Sequence, residues 1–155
     1  MQVFSQSLWG QNVPAPHARN VARVLLADAD LASRLTLRTL LGAAGYAVDE
    51  AATASEAVAH LDAQEYQLVL ADLRSESEES GPRLLAYARQ KEFRPATALI
   101  SSKLSELDAG ISDDFSAESV VRMTNENVSY LLARVAELIS HRADRRIMQS
   151  LRRAS

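Results

Sequence analysis

Two apolar runs in this chain end in aspartate: RVLLADAD, residues 23–30, exits into Asp28 and Asp30, and QLVLADL, residues 67–73, exits into Asp72. Carboxylates gathered in one place repel each other unless they share a cation. Hard oxygen ligands suit magnesium, which also keeps water and phosphate oxygens in its shell. A carboxylate is also a nucleophile toward phosphorus, forming an acyl phosphate when charge on the transferring group is neutralised. A hydroxyl and a cation nearby would complete such a site. ATALISS, residues 96–102, ends in Ser101 and Ser102, and SVVRM, residues 119–123, carries Arg122. Other chemistries find no support. The three histidines, at 17, 60 and 141, have no zinc-ligand spacing, and the absence of cysteine excludes disulfides and thiolate chemistry. There is no G-x-S-x-G elbow and no glycine-rich phosphate loop, so a hydrolase or a flavin carrier is not expected.

The elements that must position these residues follow from periodicity. Arg23–Ala27 reads as a buried strand. Leu31, Leu35, Leu37, Leu40, Leu41 and Ala44 have helical spacing behind an Asp30 N-cap, with Gly45 as the left-handed stop. Tyr46–Val48 is a short second strand, and Thr53 or Ser55 caps a helix whose core face is Ala57, Val58 and Leu61. Residues 67–73 form the third strand. SESEESG is an acidic loop, with Glu76, Glu78 and Glu79 available as replacement metal ligands. Pro82 stands in the first turn of a helix reaching about Lys91. ATALISS is the fourth strand and SVVRM the fifth, with at most a short, weak helix around 103–109 between them. A last helix starts near Asn125 and uses Val128, Leu131, Leu132, Val135, Leu138 and Ile139. Five alternations of strand and helix predict an α/β fold: a doubly wound parallel sheet, flavodoxin-like (βα)5, in the order 2-1-3-4-5. Ligands of such sheets bind beyond the carboxyl ends of the strands, where the strand order reverses. That point lies between the first and third strands, so Asp28 and Asp72 converge on one rim.

VLLADAD, GYAVDEAATASEAVAHL, LVLADLR and ALISS resemble the receiver domain of bacterial two-component response regulators, over roughly residues 23–139 and most densely in the first half. The resemblance implies a signalling module that accepts a phosphoryl group on Asp72 from a histidine kinase or phosphotransfer protein. No enzyme activity beyond self-phosphotransfer and autodephosphorylation would be expected. It also implies magnesium held by Asp28, Asp72 and Asp30, with the backbone carbonyl of Arg74, and phosphoryl oxygens steadied by Ser101 and Arg122. The family usually carries adjacent acids after strand one, whereas here Ala29 separates Asp28 from Asp30, so magnesium would be weakly held or lost. The family lysine on strand five is also absent. Strand hydrophobicity, through Val120 and Val121, puts Arg122 in its place. Matching DDFSAES to the acid–acid–aromatic signature puts Glu118 there instead and supplies Phe115. These departures leave an alternative, a pseudo-receiver acting as a phosphorylation-independent interaction module.

The composition, 47% hydrophobic and 24% charged over 155 residues, is that of about one soluble globular domain. Residues 1–20 read as an arm with Pro14 and Pro16, residues 21–140 as the receiver-like domain and 141–155 as a basic helical tail. The tail carries five arginines and one acid, +4, against 12 basic and 19 acidic residues before it, −7. An acidic body argues against nucleic acid as the partner. No apolar run approaches the roughly 20 residues of a membrane span, and the N-terminus lacks a signal-peptide pattern, so the cytoplasm is the expected location. Ile139, Ala143, Ile147 and Leu151 keep a four-residue spacing, which predicts an extended last helix, either solvated with one apolar stripe or pairing with a partner helix or in a homodimer.

Overall fold

β1 is Arg23–Asp28, and five of its six residues are fully buried. Successive side chains of a strand point to opposite faces. Val24 and Leu26 accordingly join one core cluster, and Leu25 and Ala27 the other. A strand buried on both faces must be flanked by helices on both. A computed structural model of the chain describes residues 21–74, 76–101, 119–122 and 128–154, with the backbone alone at 101, 119–122 and 154. β1 is followed by α1 (Leu31–Ala43), β2 (Ala47–Ala51), α2 (Ala54–Ala63), β3 (Leu68–Asp72), α3 (Ser80–Arg89) and β4 (Ala96–Ser101). β5 (Ser119–Arg122) and α4 (Val128–Ala154) complete the described elements. The strands pair in parallel in the order β2-β1-β3-β4, with β5 along β4. The expected arm at 1–20, the short helix around 103–109, Phe115, Glu118 and a helix start near Asn125 lie outside the described residues.

One face of the sheet packs against α1 and α4 through Leu37, Leu41, Leu131, Val135 and Leu138. The other packs against α2 and α3 through Ala57, Leu61, Leu84, Leu85 and Ala88. Leu70 of β3 is fully buried at the centre of the first cluster, where truncation to alanine would cost about 3 kcal/mol.

The caps sit where short polar side chains were expected. Asp30 Oδ2 accepts from Ser33 N at 2.8 Å, and Thr53 Oγ1 accepts from Glu56 N at 3.1 Å. Glu56 in turn accepts from Ala52 N at 3.0 Å, the amide one residue before the N-cap. Gly45 leaves α1 at φ 104°, a conformation that side chains with a Cβ rarely adopt.

Three expectations are corrected. β2 runs to Ala51, three residues further than Tyr46–Val48 suggested, because its whole length pairs with β1. α3 ends at Arg89, short of Lys91. The inward face of α1 is narrower than its leucines imply: Leu37 and Leu41 are buried, while Leu31 is 58% and Leu35 45% exposed, and Ala44 is exposed. Arg34 fixes that rotation. Its Nη1 donates to Asp28 O at 2.8 Å and its Nε meets Glu50 at 3.2 Å, so its row faces the sheet edge. At about 3.6 residues per turn Leu35, two positions from Leu37, is then carried to the far side.

Candidate functional site

Register brings the two aspartates together. β1 and β3 pair Ala27 with Ala71 and Asp28 with Asp72, so both carboxylates leave the sheet at one level of its carboxyl end. One further bond, Ala29 N to Asp72 O at 3.1 Å, extends the ladder past β1 and holds residue 29 against the same rim. The methyl group of Ala29 packs against the α2–α3 cluster.

Asp28 is 1% exposed. Its Oδ1 accepts from Asp30 N at 2.9 Å, whereas Oδ2 is buried with no hydrogen-bond partner. The Ser33 hydroxyl is close enough to favour the charged carboxylate, but its oxygen is also buried without a completed bond. Burial prevails. It pushes the Asp28 carboxyl above its ordinary value against the pull of Ser33 and the Asp30 N–H, and the charges of Asp72 and Asp30 add to the rise.

Asp72 is relieved differently. Leu73, 1% exposed, packs into the α2–α3 cluster just past the end of β3, and Arg74 stands in the turn that follows. Arg74 Nε meets Asp72 Oδ1 at 3.1 Å, with the carboxylate side chain only 15% exposed. Asp30, although beside this site, spends its carboxylate on the α1 cap.

Ser101 and Arg122 are backbone partners at the carboxyl ends of β4 and β5, on the same rim as Asp72. Glu76, from the acidic loop, accepts from Ala54 N at 3.2 Å, and Glu79 pairs with Arg83 at 2.8 Å, so both are engaged in local structure. The donor set for a divalent metal falls short. Among the described residues no group of three or more His, Asp or Glu side chains is placed to hold a metal ion. Position 29 offers a methyl group, Asp30 is committed and Asp72 already carries a guanidinium. As arranged, Asp28 and Asp72 would supply two carboxylates to a magnesium ion, one of them already paired with Arg74, so such an ion would be weakly held. The family resemblance implies Arg74 only through its backbone carbonyl, whereas its side chain also reaches the site. Residue types alone do not mark this, since Asp-Leu-Arg does not declare which way Leu73 turns.

No protein-family model matches the sequence, and no curated protein matches it. Solved structures do match the fold. The receiver domain of an HD domain-containing protein from Pseudomonas fluorescens superposes with a TM-score of 0.66 at 22% identity, over 81% of this chain and 92% of that one. TrrA of Thermotoga maritima, solved with Mg2+ and BeF, gives 0.64 at 20%, over 76% and 99%. NtrX of Brucella abortus, solved with ADP, gives 0.74 at 17%, over 84% of this chain but only 30% of that one, so the chain corresponds to a minor part of NtrX. Its fold is that of response regulator receiver domains.

Proposed function

We propose that this chain is a cytoplasmic signal-transduction receiver in which Asp72 accepts a phosphoryl group from the phosphohistidine of a histidine kinase or phosphotransfer protein. The observation that supports it is the level pairing of Asp28 with Asp72 at the strand-order reversal of the sheet. In that step a carboxylate oxygen of Asp72 attacks phosphorus in line. The new O–P bond forms as the P–N bond breaks, and the imidazole leaves with the electron pair and takes a proton from solvent. Arg74 offsets the charge of the transferring group, and Ser101 and Arg122 steady its oxygens. The same reading assigns the last helix to pairing between copies of the chain.

A second reading has its own support. With residue 29 an alanine and Asp72 already ion-paired, the fold also suits a pseudo-receiver that binds partners without phosphorylation. One experiment separates them. Incubate the protein with a small phosphodonor such as acetyl phosphate, with magnesium and with chelator in parallel, and record intact mass. The receiver reading expects an acid-stable, base-labile adduct that vanishes in Asp72→Asn, because an amide cannot form an acyl phosphate. The pseudo-receiver reading expects no adduct and partner binding indifferent to Asp72→Asn. Modification at another residue would defeat both.

A further inference from the structure

A rim that gathers carboxylates needs positive charge, and here the chain provides it. Asp28 and Asp72 are paired neighbours across β1 and β3, so each carboxylate lies in the field of the other. Their surroundings differ. Burial penalises the charged form of Asp28, which has one oxygen on the Asp30 N–H. Asp72 receives the Arg74 guanidinium at 3.1 Å, with Leu73 buried between the two residues in sequence. Position 29, held to the rim by the bond from its amide to Asp72 O, is alanine and adds no carboxylate to the pair.

We infer that Arg74 is the built-in counter-cation of this rim, standing in the role a divalent metal would otherwise fill. Arginine suits it. The guanidinium stays charged, and its planar fork matches the geometry of the Asp72 carboxylate that it meets. A divalent cation and the guanidinium therefore compete for the Asp72 carboxylate.

The inference deepens the phosphoacceptor reading, but its test uses no phosphodonor, so either can fail alone. Magnesium is titrated into isotope-labelled protein and followed by NMR at the amides of residues 28–30 and 72–74. The wild-type chain should bind magnesium only weakly. Arg74→Ala should tighten binding about fivefold or more, since one positive charge a few ångströms away is removed. Arg74→Lys should stay near wild type. Ala29→Asp should tighten binding on its own and further when combined with Arg74→Ala. Arg74→Gln, which keeps length and polarity, replaces Arg74→Ala if the latter fails to fold. Magnesium affinity unchanged within twofold, or weakened, in the neutral variants would overturn the inference. So would a wild-type affinity as tight as that of Ala29→Asp.

Discussion

Asp28 shows how one buried carboxyl governs the behaviour of this rim. Burial holds its pKa above the ordinary 3.8, so between 3.8 and the raised value the native state binds more protons than the unfolded chain. Stability must then fall as pH rises through that window, with a slope no steeper than about 1.4 kcal/mol per pH unit. Chemical denaturation at a series of pH values, with chelator present, should show that decline in the wild type and a flatter profile in Asp28→Asn. A wild-type stability that climbs across the window would mean that Asp28 is instead held ionised. Much of this was legible beforehand, because an aspartate that ends an apolar run in a parallel sheet is bound to reach the rim. The counter-cation was not. Whether Arg74 meets Asp72 depends on Leu73 turning into the α2–α3 cluster, and an apolar residue at the mouth of a loop does not by itself declare which side it buries.

At the scale of elements, α4 does more than close one face of the sheet. Leu131, Val135 and Leu138 bury its first half, and beyond them the helix is tied to the loop before β4 by arginines. Arg142 Nη2 donates to Phe93 O at 2.7 Å and its Nε to Arg94 O at 3.2 Å, while Arg146 Nη1 reaches the same Phe93 oxygen at 2.9 Å. Arg94 itself sits at φ 42°, a conformation that costs about 1 kcal/mol outside glycine and needs surrounding structure to hold it. Arg142→Ala should destabilise the protein by about 1–2 kcal/mol in denaturant and speed amide exchange across residues 93–96. Gln149→Ala, on the exposed stretch, should change neither measurement. Equal effects of the two variants would show that Arg142 acts only through helix propensity. The extended last helix expected from the four-residue spacing is continuous to Ala154, across the change of charge at 140/141. Its ties to the loop before β4 are what the sequence does not show: carbonyl groups accept from arginine without leaving any mark on the residues that own them. The rotation of α1 escaped for a related reason, since Arg34 is anchored by the Asp28 carbonyl.

The whole molecule divides its charge, with −7 over residues 1–140 and +4 over 141–155. The basic end is also where apolar surface is exposed. Ile139 still packs on the core, but Ile147, Met148 and Leu151 are 58%, 52% and 59% exposed further along the same helix, about 18 Å of axis from Ile139 to Leu151. Two such tails aligned side by side would bring arginines together, so a stripe flanked by arginine fits best against the acidic body of a second copy. Self-association of that kind has two signatures. Sedimentation at micromolar protein should find dimers at low salt that dissociate toward about 0.5 M salt, where screening shortens the reach of each charge to a few ångströms. Ile147→Glu should weaken the dimer about tenfold or more while leaving the unfolding transition in place, because residue 147 lies past the buried part of α4. A dimer indifferent to salt but broken by Ile147→Glu would mean that helices pair through the apolar stripe alone. A monomer at every salt concentration would leave the exposed stripe without a second copy as its partner.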